Sequence, residues 1–358
     1  MLNALRLVAI LATLSLNSIQ AESTPHAALL VLSKGNHTLA IVDPSTLKVV
    51  AKAPVGPDPH EVIASSDGKL AYVSNYGGGA YNTLAVIDLV NQKALPSIDL
   101  GPLRGPHGLD FVGQKVWFTA EGAKAIGRFD PATHKVDWIL GTGQNRTHMI
   151  WVSQDQKRIF TTNVSSGTVS IIEKTNRSGP PPPPPGGNRP PPPRAGGGRP
   201  PMGPPGGDWN ETVVPVGVGS EGFDLTPDHT QLWTADAQEG TIAIIDLAEK
   251  RVIATLPANV RGANRLKFTP DGKLVFISSL GDGPALTILD AATRKELKRL
   301  DLGRKGAAGI QMQADGSRAY VACTGSDDVA VIDLKTLEVV GHINAGPGPD
   351  GMAWSVLQ

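Results

Sequence analysis

The stretch Ala64-Ser65-Ser66-Asp67-Gly68-Lys69-Leu70-Ala71-Tyr72-Val73-Ser74-Asn75, followed by Thr83-Leu84-Ala85-Val86-Ile87-Asp88, decides the fold because it recurs. Phe268-Thr269-Pro270-Asp271-Gly272-Lys273 leads into Leu274-Val275-Phe276-Ile277-Ser278 and then Leu286-Thr287-Ile288-Leu289-Asp290. A third copy runs through Asp315-Gly316, Ala319-Tyr320-Val321-Ala322 and Val329-Ala330-Val331-Ile332-Asp333, and weaker copies centre on Trp117, Phe160 and Trp233. Each unit is a set of short β-rich runs broken by Asp-Gly and Gly-rich turns, with a period of about 43 residues. Evenly spaced short strands at that period are the mark of propeller blades.

Two columns give the count. An acid closes one strand of each unit at Asp43, Asp88, Asp130, Glu173, Asp246, Asp290 and Asp333. One strand earlier an aromatic recurs at Tyr72, Trp117, Phe160, Trp233, Phe276 and Tyr320, with Val31 in the first copy. The aromatics read as core packing between blades. The acids read as turn residues whose carboxylates accept nearby backbone N–H groups. The first copy, Leu29 to Val55, lacks an innermost strand, and Met352-Ala353-Trp354 at the C-terminus supplies one. The expectation is therefore an all-β, seven-bladed propeller with four antiparallel strands per blade, closed by N- and C-terminal strands sharing one blade. Pairing the two ends removes the exposed edges that an open solenoid would keep.

Residues 1–21 have the order of a secretory signal peptide: Arg6, an apolar run from Leu7 to Leu16, and the small residue Ala21. The apolar run is too short to span a bilayer comfortably, and no other stretch is a candidate span. Residues 22–358 read as a single secreted or periplasmic propeller domain, without a membrane span after cleavage and expected to be monomeric. A Pro/Gly-rich tract at about 175–208 interrupts one unit between Val169-Ser170-Ile171-Ile172 and Thr212-Val213-Val214. Such a composition cannot bury apolar surface and reads as a disordered loop insertion.

Lys plus Arg and Asp plus Glu are both 33, so charge makes no strong case for a nucleic-acid partner. Cys323 is the lone cysteine and reads as a small buried hydrophobe; the fold has no internal disulfide, no haem c attachment motif and no cysteine set for zinc. Phosphate-loop, nucleophile-elbow and HExxH motifs are also missing. The sequons at Asn36, Asn145, Asn163, Asn176 and Asn210 would matter only in a eukaryotic secretory pathway.

The column placed just before each innermost strand, facing the channel mouth, reads His60, His107, His148, Glu221, Asn264, Ala308 and Asp350. Loops on the same face add Asn75, Tyr76, Tyr81, Glu121, Asn163, Asp236 and Glu239. Imidazoles with carboxylates suit a divalent metal, with His60, His107, His148 and Glu221 as its ligands, or general acid–base chemistry on an organic ligand. The bland alternative is structural: each histidine caps its turn by donating to a neighbouring blade's backbone.

Tyr72-Val73-Ser74-Asn75, with Pro59-His60-Glu61-Val62 and Asp67-Gly68-Lys69 leading into it, resembles the Tyr-Val-Thr-Asn signature of the YVTN β-propeller repeat family. The resemblance covers nearly all of residues 22–358. It implies kinship of form with surface-layer repeat proteins, with a periplasmic propeller that binds single-stranded DNA, and with the propeller of cytochrome cd1 nitrite reductase. It is specific for fold and weak for activity. Lactonases and streptogramin lyases also use propellers with Pro-His turns, and no catalytic residue of theirs transfers onto this chain. The expected function is an exported binding or interaction module for a small ligand, metal or protein partner at the channel mouth. The alternatives are a metal-dependent lyase or lactone hydrolase using the same histidines, and a passive surface-layer scaffold.

Overall fold

The computed structural model describes residues 22–175, 208–281 and 285–358. The expected signal segment 1–21 and all but the ends of the Pro/Gly tract lie outside the described residues. Seven four-stranded antiparallel sheets form the blades of a propeller. Blade 1 combines Ala27–Ser33, Thr38–Asp43 and Lys48–Pro54 with the C-terminal strand Pro349–Val356 on its inner side. Blades 2 to 7 follow at 59–99, 106–141, 147–215, 220–257, 263–300 and 307–343.

The closure expected from the two incomplete ends is present. Leu29 pairs with Trp354, Leu30 with Ala353 and Val31 with Met352. Blade 4 accounts for the interrupted repeat: Thr168–Thr175 and Asp208–Pro215 pair from Thr168↔Pro215 to Thr175↔Asp208. The insertion therefore leaves its blade's ladder intact on both sides.

The repeat columns are structural. All six aromatics are buried, and Tyr72, Trp233 and Tyr320 each meet an aromatic of the following blade's innermost strand: Phe111, Phe268 and Trp354. Six of the seven acids accept a backbone N–H two or three residues on, as in Asp333 with Lys335 and Thr336 (2.9 and 2.8 Å). Glu173, which enters the Pro/Gly tract, instead pairs with Lys250 of blade 5. Cys323 is buried, and burial pushes its thiol up to about 11, which removes it as a reactive group at neutral pH.

Two devices draw the innermost strands together. A second-strand hydroxyl bridges adjacent blades: Thr119 Oγ1 accepts from Gly108 N (2.9 Å) and donates to His148 O of blade 4 (2.7 Å). Glycine at the third residue of an innermost strand allows backbone contact. A Cβ on Gly108 would lie 2.5 Å from His148 O, and one on Gly351 2.3 Å from His60 O. Side chains at the second residue of each strand are thereby crowded around one axis.

Candidate functional site: a polar chamber at the channel mouth

The second residues of the innermost strands are His60, His107, His148, Glu221, Asn264, Ala308 and Asp350. They begin the strands rather than precede them, because the left-handed turn comes two residues earlier. All seven line one cavity of about 220 Å³, together with Lys34, Tyr76, Arg146, Arg265, Leu280 and Thr324. Every blade contributes to its wall. Sequence reasoning placed the ring correctly, but it missed the cations.

Three imidazoles stand in a row. The rings of His60 and His107 are 4.8 Å apart and those of His107 and His148 3.7 Å apart, with Tyr76 edge-on to the first two. Four of their six nitrogens bond to side chains and none to backbone, so the structure does not support turn caps on neighbouring backbone. His60 Nε2 meets Lys34 Nζ at 2.8 Å and Asp58 Oδ1 at 3.1 Å, and His60 Nδ1 lies 3.1 Å from His107 Nε2. His148 Nδ1 is hydrogen-bonded to Glu121, whose second oxygen accepts from the Tyr76 hydroxyl at 2.6 Å. Glu121 thus stands behind the wall and holds two of its members.

The side chains of His60, His107, His148 and Glu221 do not converge as a metal-ligand set. Among the described residues no group of three or more His, Cys, Asp or Glu side chains is placed to hold a metal ion. His107 is turned to His60, His148 to Glu121, and Glu221 accepts from Asn264 at 2.6 Å. Lys34 and Arg265 also place cations beside the ring.

Burial keeps the first two rings neutral. It lowers the pKa of His60, though Asp350 works the other way, and it puts His107 well below the ordinary value, aided by His148, His60, Arg265 and Lys34. Burial also opposes the charge on Glu121, yet His148, Tyr76 and Arg146 together hold its pKa below the usual carboxylate value. Burial and Glu121 raise Tyr76, so it remains a phenol.

These shifts set a pH dependence. A histidine that protonates near 6.5 when unfolded but stays neutral when folded makes the unfolded state bind more protons below that pH. Its stabilisation is complete above 6.5 and falls by about 1.4 kcal/mol for each unit below it. Asp110, pushed up to about 6 by burial, offsets part of this loss below pH 6. Urea unfolding at pH 7.5 and 5.5 is therefore expected to show a smaller pH difference in His107→Gln than in the parent. An unchanged difference removes His107 from the account.

The loop residues divide by strand register. Asn75, Asn163 and Asp236 are each the last residue of a second strand and point into their own blade. Asn75 and Asn163 donate to Thr83 and Thr168, and Asp236 accepts from Gln238 N at 2.8 Å. Asp236 therefore does not belong to the chamber wall, and Asn163 is too buried to be a glycan acceptor. The residue one step later faces the cavity at Lys34, Tyr76, Leu280 and Thr324.

The missed Arg146 carried a signal in the repeat. Two residues before the ring column the backbone is left-handed in every blade: Asp58, Gly105, Arg146, Gly219, Gly262, Gly306 and Gly348. Glycine fills five of these places at no steric cost. Asp58 and Arg146 take up φ values of 50° and 53°, a conformation costing an L-residue about 1–2 kcal/mol. Both side chains serve the chamber, Asp58 on His60 and Arg146 between Glu121 and Glu221 at 3.6 Å from each.

No family model matches the chain, and no curated protein matches it. Solved structures similar to it share the fold. A protein of unknown function from Desulfotomaculum acetoxidans aligns over 92% of this chain and 99% of its own, with TM-score 0.71 and 13% identity. A putative 6-phosphogluconolactonase from Bacteroides uniformis aligns over 92% and 99%, with TM-score 0.65 and 15% identity. Dihydro-heme d1 dehydrogenase NirN aligns over 91% of this chain and 65% of its own, with TM-score 0.60 and 16% identity.

Proposed function

We propose that this protein is an exported ligand-binding propeller whose site is the channel-mouth chamber. Its ligand is a small polar molecule carrying a carboxylate or comparable anion beside hydroxyl groups. The observation that carries this reading is Arg146. A strained, half-exposed cation stands where five other blades use glycine, and only long contacts hold it in place. Strain kept at a cavity wall points to a side chain needed for binding. A passive scaffold would have no use for it. The chamber is smaller than sites for drug-sized molecules, which suits a compact ligand.

Kinship of fold with a putative lactonase and with NirN fits a propeller that receives small molecules at its mouth. The Tyr72-Val73-Ser74-Asn75 segment supports placing the chain among YVTN-repeat propellers, and the order of residues 1–21 supports export.

The test is titration calorimetry with gluconate, citrate and inorganic phosphate against the parent and Arg146→Gly. Glycine relieves the left-handed strain, so the variant is expected to be as stable as the parent or more stable by up to about 1 kcal/mol. Its affinity for the anionic ligand is expected to fall at least about tenfold, a loss of about 1.4 kcal/mol. Equal affinity in the two proteins would remove the basis for this reading.

A further inference from the structure

The chamber wall contains two buried ring nitrogens with no hydrogen-bond partner among the described residues, His107 Nδ1 and His148 Nε2. An unpaired buried polar atom costs about 1–3 kcal/mol, so two on adjacent rings of one cavity call for a common partner. Their hydrogen-bonding senses follow from their neighbours. The Glu121 carboxylate can only accept, so His148 carries its proton on Nδ1 and, when neutral, presents a lone pair at Nε2. The Lys34 ammonium can only donate and is the closer partner of His60 Nε2. Neutral His60 therefore has its proton on Nδ1 and donates it to His107 Nε2, which leaves the His107 proton on Nδ1. One N–H donor and one lone pair stand on rings whose centroids are 3.7 Å apart. One water, donating to His148 Nε2 and accepting from His107 Nδ1, would satisfy both atoms.

We propose that His148 is a general base that activates this water, that Glu121 is the positioning residue fixing its tautomer, and that the substrate is a small polar carboxylic ester, open-chain or cyclic. The proposal rests on the chamber being the ligand site. His148 Nε2 takes one proton from the water as its oxygen bonds to the ester carbonyl carbon. The carbonyl oxygen becomes an oxyanion beside the Arg146 guanidinium, which has donors to spare. On collapse the carbon–oxygen bond to the alcohol breaks, and the leaving oxygen takes the proton back from His148. Ester and water become acid and alcohol, with no other reactant. The role given to Glu121 is to hold one imidazole orientation through Nδ1, as a carboxylate does for any histidine base.

The experiment follows acid release by pH-stat from methyl esters of small hydroxy acids and from five- and six-membered lactones, using the full mature chain. His148→Gln is expected to lower kcat by about 100-fold or more while changing KM far less. Glu121→Gln is expected to lower kcat and, in side-chain ¹⁵N spectra, to shift the His148 proton from Nδ1 toward Nε2; Glu121→Asp should restore part of both. Thermal unfolding of each variant shows that the fold is retained. Parent hydrolysis no faster than that of folded His148→Gln overturns the inference. If gluconate still binds the parent in that case, the ligand-binding reading survives; if it does not, both fail.

Discussion

Replacing Arg265 with alanine is expected to destabilise the propeller by about 3–5 kcal/mol, the usual result of leaving one member of a buried ion pair behind. Arg265 and Glu61 are the third residues of innermost strands in blades 6 and 2, and their side chains meet in the channel at 7% and 11% exposure. The guanidinium also donates to Asn264 O and Oδ1 at 3.1 and 3.2 Å. Burial opposes the charge on Arg265, but Glu61, Asp350 and Glu221 together keep it firmly protonated. Glu61 would have no such support after the substitution. The double change Glu61→Leu with Arg265→Met removes both charges and is expected to recover most of the loss, because the pair's desolvation offsets much of its attraction. Urea unfolding of the three proteins measures this. If Arg265→Ala costs under about 1 kcal/mol, the channel pair does not hold the blades together.

Removing residues 349–358 is expected to abolish cooperative folding altogether. The C-terminal strand provides the inner edge of blade 1 and packs on both neighbouring blades. Trp354 Nε1 donates to Met312 O in blade 7 at 2.7 Å, and Ser355 Oγ to Gly68 O in blade 2 at 2.7 Å. Without the strand, the fully buried Leu29 and Val31 lose their partners, and a sheet edge opens into the channel. A domain stable by about 5–15 kcal/mol does not absorb that change. The truncated chain should elute as aggregate and show no sharp urea transition. A monomer with an unchanged midpoint would show that six complete blades close without it.

The fold was legible in the sequence because each unit repeats the same local physics. Tyr72, Trp117 and Phe160 occupy one packing position in successive blades, and Asp-Gly turns such as Asp67-Gly68 and Asp271-Gly272 set the register. The ring of His60, His107 and His148 was legible for the same reason, since a column defined by strand position needs no knowledge of partners. What those side chains bond to was not legible. Lys34 reaches His60 from another blade, and Glu121 reaches His148 across the blade 3–blade 4 boundary. The donors of the expected metal set are turned to other partners, and donor direction is a matter of tertiary structure. Asp236 failed because a one-residue difference along a strand reverses the side it faces. Arg146 and Asp58, by contrast, were visible as breaks in a glycine column, which marks a left-handed turn wherever a propeller repeat is aligned with care.

The shared blade also fixes the order in which the protein can become itself. The hydrogen bond from Ser33 to Pro347 joins residues 314 apart, and the strand partners around it are similarly remote. During synthesis, blades 2 to 7 emerge one after another, each formed from neighbouring strands. Blade 1 has to wait with three strands and a bare inner edge until Pro349–Val356 arrives. Its closure is the most non-local step of folding and therefore the slowest to pay back its chain entropy. The newborn chain is most open to sticking to its own copies in that interval, and any helper that guards this protein would act on the waiting edge of Ala27–Ser33.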